Sequence, residues 1–126
     1  MRGELRLEIS PRTSRFGQLF ESYVIQEAFR LNEYKQLDLK YSYWQTNTDQ
    51  EVDLIVSRGT GEPLAAIEIK SSEAPSPANW KGLRSFAAEY PEVPCYCFCQ
   101  TPTPFQSEDG VAVLPWREGL ASLTGL

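Results

Sequence analysis

The sequence predicts one α/β domain, ordered helix, three-strand meander, helix, strand, strand. Three observations predict it. Apolar residues recur with a helical period from Phe16 to Leu31. Three strand-like runs follow between residues 37 and 70, separated only by short turns. A second helical run, opened and closed by prolines, then leads into two further strand-like runs.

Residues 1–13 read as a loose lead-in containing Pro11, and residues 14–126 as the domain. From Ser14, a candidate N-cap, the apolar positions Phe16, Leu19, Phe20, Tyr23, Val24, Ala28 and Leu31 follow the i, i+3, i+4 rule, which predicts a helix to about Asn32. "LDLKYSYWQ" (37–45) alternates Leu37, Leu39, Tyr41 and Tyr43 with Asp38, Lys40, Ser42 and Trp44, as a strand with two unlike faces does. "TNTDQ" is a turn, "EVDLIVS" (51–57) a strand, "RGTGEP" a turn and "LAAIEIK" (64–70) a strand. Ser76 before Pro77 is a helix-start pair. Trp80, Leu83, Phe86, Ala87 and Tyr90 carry the second helix, which ends near Pro91. "VPCYCFCQ" and "VAVLP" are strands around the Pro-rich loop "TPTPFQSEDG", and "WREGLASL" is a short closing helix.

A chain of 126 residues is long enough for one core and too short for two. No apolar run approaches membrane-spanning length, and the first ten residues carry no apolar signal segment, so a cytoplasmic protein without a membrane partner is expected. Cys95, Cys97 and Cys99 alternate on one strand. An odd, crowded set is not a disulfide framework and points to a reducing compartment. Steps of about 7 Å along a strand are too wide for one tetrahedral zinc, so buried free thiols are expected. Histidine is absent, which excludes Ser-His-Asp triads, Cys-His dyads and imidazole metal sites. The net charge of −5 opposes broad nucleic-acid binding but leaves room for an acidic pocket filled by cations.

The charges on the strands carry the functional argument. In "LAAIEIK", Glu68 and Lys70 share a face with Leu64 and Ala66, opposite Ala65, Ile67 and Ile69. In "EVDLIVS", alternation places Asp53 with Glu51 and Ile55, opposite Val52, Leu54 and Val56. On neighbouring strands Asp53, Glu68 and Lys70 can meet. Glu21 lies at the edge of the first helix's apolar stripe, one turn after Gly17 and one turn before Val24 and Ile25, and would face the sheet. One lysine cannot balance three buried acids; a divalent cation with a taste for carboxylate oxygen can. The plainer alternative is a solvent-exposed ion pair of Lys70 with Glu68 or Asp53.

Glu21, Asp53, Glu68 and Lys70, in that order on helix, second strand and third strand, resemble the PD-(D/E)XK superfamily of restriction-endonuclease-like folds. The resemblance implies a restriction-endonuclease-like core with a mixed sheet. It also implies a Mg²⁺ (or Mn²⁺) site on Asp53, Glu68 and Glu21, with Lys70 and Glu21 as catalytic residues. Val52 stands where that superfamily usually has proline. The segments "FGQLFESYVIQEAFR", "YWQTNTDQEVDLIV", "AAIEIKSS", "WKGLRSFAAEYP" and "VAVLPW" are similar, over roughly residues 14–120, to a C-terminal domain of unknown function that follows AAA-type ATPase modules in bacteria and archaea. An ATPase in cis or trans is the partner this implies. Gln45 replaces an arginine frequent in that domain after the Tyr-Trp pair, and a phosphate contact would be lost with it. No phosphate-cradling G-x-x-x-x-G-K-[ST] occurs in the chain.

Two functions compete on this footing. One is a Mg²⁺-dependent nuclease acting on DNA or RNA, with Ser71, Ser72, Lys81 and Arg84 as further candidates along a phosphate path. The other is a non-catalytic binding or regulatory module, anchored on a partner by Trp44, Trp80 or Trp116 if exposed, although core packing is the favoured reading for each tryptophan.

Overall fold

The computed structural model describes residues 2–4 (backbone only), 15–59 and 61–126. Among the described residues three α-helices and seven strands form three layers around a mixed sheet. In chain order they are β1 (Arg2–Glu4), α1 (Arg15–Tyr34), β2 (Leu39–Gln45), β3 (Glu51–Arg58), β4 (Pro63–Ile69), α2 (Lys81–Glu89), β5 (Cys95–Cys99), β6 (Phe105–Gln106), β7 (Ala112–Pro115) and α3 (Trp116–Ser122). The sheet order is β1-β2-β3-β4-β5-β7-β6, parallel at β4–β5 and β5–β7 and antiparallel elsewhere. The expected meander and the later strands are therefore present. Two short edge strands are added, one in the lead-in and one in the Pro-rich loop. Ser14, the expected cap of α1, and the rest of the lead-in from residue 5 lie outside the described residues, as does Thr60 in the second turn.

Both sheet faces are covered. Val24, Ile25 and Ala28 of α1 and Leu120 of α3 pack on Tyr41, Leu54, Val56, Ala65, Ile67, Ile69 and Phe98. On the other face Leu83 and Phe86 of α2, with Trp80, pack on Trp44, Val52, Ile55, Ala66, Cys97, Cys99 and Val113. Each large side chain so buried contributes roughly 1.5–3 kcal/mol. Trp44 and Trp80 are fully enclosed here, which removes them as partner anchors. The indole N–H of Trp80 donates to Asp109. The three cysteines are free thiols, with Cys97 and Cys99 buried and Cys95 half-buried.

α1 runs two residues past its expected end and closes with a pair of reverse bonds: Leu37 N donates to Asn32 O and Gln36 N to Glu33 O. This closure requires left-handed backbone at Gln36, whose φ is 52°. Asp38 follows at φ 59°, so the chain turns twice before β2 begins at Leu39. The Asn32 amide then both donates to Leu39 O and accepts from Leu39 N, taking the place of a neighbouring strand.

The decisive irregularity is in β3. Ser42 pairs with Ile55 and Trp44 pairs with Val52. Asp53 and Leu54 therefore oppose the single residue Tyr43, a β-bulge that breaks alternation. Val52 goes with Ile55 into the α2-side core, not with Leu54 and Val56 as alternation predicted. Glu51 and Asp53 flank Val52 and so turn away from that core.

α2 is seated against β3 at the same place. A Cβ on Gly82 would stand 1.8 Å from the Glu51 carbonyl oxygen, a backbone-to-backbone approach that only glycine allows. Gly82→Ala gains about 1 kcal/mol of helix propensity but must force α2 off β3. We expect a net loss of about 2 kcal/mol, of the order seen when a packed site is overfilled. Urea unfolding of the two proteins measures it; equal midpoints would show that α2 does not depend on this contact.

Candidate functional site

β3 and β4 part at one end. Their paired register ends at Leu54↔Ile67, where the bulge begins. Beyond it the Ile69 N–H donates to the Asp53 carboxylate at 2.8 Å instead of to a backbone carbonyl. A side chain thus closes the fork between two strands. Lys70 N continues on the other side of β4, donating to Phe98 O at 3.0 Å.

Glu68 is 6% exposed, a buried acid in the fork. One of its oxygens lies 3.4 Å from Lys70 Nζ. The other, Oε1, is buried with no hydrogen-bond partner. An ionised oxygen left this way costs more than a neutral orphan, which is itself worth ~1–3 kcal/mol. Glu21 sits at the middle of the buried side of α1, between Gln18 and the pair Val24 and Ile25, not at the stripe's edge as expected. From there its charge interacts with those of Asp53, Lys70 and Glu51.

The electrostatics show that these groups form one unit. Burial pushes the Glu21 carboxyl up to about 8; Asp53 and Glu51 add to this and Lys70 opposes it. Burial raises Asp53 to about 6, against the Ile69 amide and Lys70, while Glu51 pushes the same way as burial. Glu68 is held well above the usual carboxylate range by burial and then by Asp53 and Glu21, again opposed by Lys70. Burial alone would lower Lys70, but Glu68, Asp53 and Glu21 outweigh it and hold its ammonium above the ordinary lysine value.

Asp53, Glu68, Lys70 and Glu21 feel one another's charge. The closed three-carboxylate shell is not formed. Among the described residues no group of three or more Asp, Glu, Cys or His side chains stands at the separations that would hold one ion. The tight unit is Asp53 and Glu68 with Lys70, and Glu21 faces it.

Glu51 was missed as a site residue, although its place two residues before Asp53 was legible. It is exposed, and both Glu21 and Asp53 feel its charge. Gln45, the position expected to lack a phosphate-binding arginine, turns its amide toward acids: Nε2 is 3.3 Å from Asp49 and 3.5 Å from Glu51. The other phosphate-path candidates divide. Ser71 and Ser72 directly follow Lys70, and their carbonyls accept from the side chain and backbone N–H of Gln100. Lys81 is exposed at the start of α2, beside the Gly82–Glu51 contact. Arg84 leads elsewhere: it lines a groove of about 290 Å³ with Pro94, Cys95 and Asp109, at the start of β5, whereas the fork lies at its end.

The fold and site together define an α/β domain with a buried carboxylate–lysine cluster at a strand fork. The chain belongs to the family described as Domain of unknown function (DUF4143), whose model matches residues 16–118. No curated protein and no solved structure matches it. Among the described residues no helix is long and apolar enough to cross a membrane.

The raised carboxyls set a pH dependence. A folded-state pKa above the unfolded one gives stability that is full below the unfolded value and lost as pH rises through the folded one. Glu21 moves from 4.5 to about 8 and Asp53 from 3.8 to about 6. The metal-free protein should therefore lose thermal stability steadily from pH 5 to pH 8.5. Thermal melts across that range test this, and a Tm that rises with pH would contradict it.

Proposed function

We propose that this domain is a divalent-cation-dependent nuclease of the PD-(D/E)XK type, hydrolysing phosphodiesters in DNA or RNA. The observation that carries the reading is Glu68 Oε1, a buried acid oxygen with no partner inside a cluster that one lysine cannot neutralise. Such a donor set suits a hard cation: carboxylates and a carbonyl, no imidazole. Asp53 and Glu68, with the Ile69 carbonyl, would hold Mg²⁺ or Mn²⁺, and Glu21 would complete their surroundings. When bound, the ion would supply Lewis-acid polarisation of phosphate and a source of hydroxide near neutral pH.

The chain's own residues do the rest. Lys70, protonated throughout the neutral range because its pKa is raised, acts as a hydrogen-bond donor and charge stabiliser toward phosphate. It is poorly suited to be a base. Glu21, with a pKa near 8 in the metal-free state, changes charge in the neutral range and is placed to take or give a proton. Asp53 fixes the geometry, since its hydrogen bond to Ile69 N ties β3 to β4 at the fork.

A second reading has its own observation. The outer side of α1 exposes Phe16 (62%), Leu19 (48%) and Tyr23 (48%) in its first turns. Trp116, half-buried, packs edge-on against Phe20 and Tyr23. That apolar surface supports a binding module that docks on a protein such as an AAA-type ATPase, in cis or trans.

Glu68→Gln and Lys70→Met separate a metal site from a plain ion pair. We expect Glu68→Gln to weaken Mn²⁺ binding at least about tenfold, an amide being the poorer ligand for a hard ion. Lys70→Met should keep or tighten it, because a nearby positive charge is removed. Cleavage of labelled oligonucleotides should fall about 100-fold or more in both. Calorimetry reads the binding; equal or absent effects in the two variants would leave the ion-pair explanation and the docking reading in front.

A further inference from the structure

α1 carries a second stripe that the sheet does not use. Phe16, Phe20, Tyr23, Glu27, Arg30 and Tyr34 recur at steps of 4, 3, 4, 3 and 4 residues, the spacing of a seam between two paired helices. The stripe points away from Val24, Ile25 and Ala28, which pack on the sheet. None of its six members is buried, and its ends are the most open: Phe16 is 62% exposed and Tyr34 86%. It runs about 27 Å at 1.5 Å per residue.

The two ends differ in shape. Near Tyr34 a groove of about 360 Å³ opens between α1 and α3, where Leu31, Tyr34, Leu120 and Ala121 give it apolar walls beside Arg30 and Arg117. At the other end Phe16 stands out, next to Phe20 and Tyr23, which rest edge-on against Trp116. One end offers a knob and the other a hole, so the surface is complementary to itself, as a two-fold interface must be. Charge sets the direction. Glu27 and Arg30 form an ion pair in the middle of the stripe. Parallel pairing in register would stack glutamate on glutamate and arginine on arginine. Antiparallel pairing about an axis level with Ile25 sets Phe16 against Tyr34, Phe20 against Arg30 and Tyr23 against Glu27. Each charged side chain then meets an aromatic one, a guanidinium over a ring and a carboxylate beside a phenol hydroxyl. We propose that α1 pairs antiparallel with α1 of a second copy of this chain, Phe16 of each copy seating at the α1–α3 groove of the other. The proposal is independent of the nuclease reading, and it gives the α1 face to a copy of this chain rather than to a different protein.

Sedimentation equilibrium on the whole chain reads the state, and we expect a dimer in the micromolar range. Arg30→Glu and Glu27→Arg each gather like charges at the middle of the seam, and each should weaken the dimer at least about tenfold. Mixed in equal amounts, the two variants should pair again, because the seam then holds two charges of each sign. That recovery cannot come from unfolded chains, and circular dichroism matching the native chain checks each variant alone. For direction, Phe16→Cys mixed with Tyr34→Cys should cross-link with a short bismaleimide, while neither links to itself, the native chain serving as control for half-buried Cys95. Single charge variants as dimeric as the native chain, a mixture that fails to pair, or a cross-link within either cysteine variant alone overturns the proposal. A native chain that stays monomeric also overturns it and leaves the face to a different protein.

Discussion

The structure turns on one hydrogen bond, from the Ile69 backbone N–H to the Asp53 carboxylate at 2.8 Å. A strand partner should have taken that N–H, but the extra residue in β3 has moved it away. Filling the gap with an acid ties β3 to β4 and at the same time buries a carboxylate beside Glu68. Most of what is unusual here follows from that substitution of side chain for backbone. The acids of the fork are pushed up in pKa, Lys70 is held protonated beside them, and Glu21 meets the cluster from a helix otherwise committed to apolar packing. A core with apolar residues at these positions would be easier to stabilise.

The surrounding layers explain why the cost is bearable. α1 and α3 seal one face and α2 the other, so the fork is flanked by two separate apolar cores. Cys97, the residue paired with Glu68 in register, is a buried thiol whose pKa is raised, first by its bond with Cys99 and then by burial. It remains neutral and adds no charge to the cluster. Its role is to wall the fork off on the β5 side.

Much of this was legible in the sequence, for physical reasons. The helical period from Phe16 to Leu31 and the three alternating runs depend on local rules, and each located its element within two residues; the Ser76-Pro77 start opens a 3-10 turn over Pro77–Asn79, and α2 itself begins only at Lys81. Glu68 and Lys70 were legible because a charged pair inside an apolar run contradicts its surroundings. The bulge was not legible. Nothing in "EVDLIVS" marks an extra residue, because the bulge is defined by its partner strand, where Trp44 must reach the α2-side core. Strict alternation consequently grouped Val52 with Leu54 and Ile55 with Asp53, and although it set Glu51 beside Asp53 it gave no reason to count Glu51 in the site. Trp44 and Trp80 are core residues, the reading their apolar bulk favoured over a role as partner anchors. Glu21 was placed at the stripe's edge from its spacing to Gly17, Val24 and Ile25, because the sequence does not show that the polar Gln18 is buried on the same side.

The bulge also acts as a fidelity device. A strand paired by simple alternation can slip by two residues and still present apolar groups to the same core, leaving a misregistered chain that is compact and long-lived. β3 has no such freedom. With the extra residue at Asp53, any slip carries the acid out of the fork, abandons the Ile69 N–H and lifts Gly82 away from the one carbonyl that fits it. Correct pairing and an assembled cluster are therefore the same event. A molecule that has reached its native register has, by that fact, built its charged site.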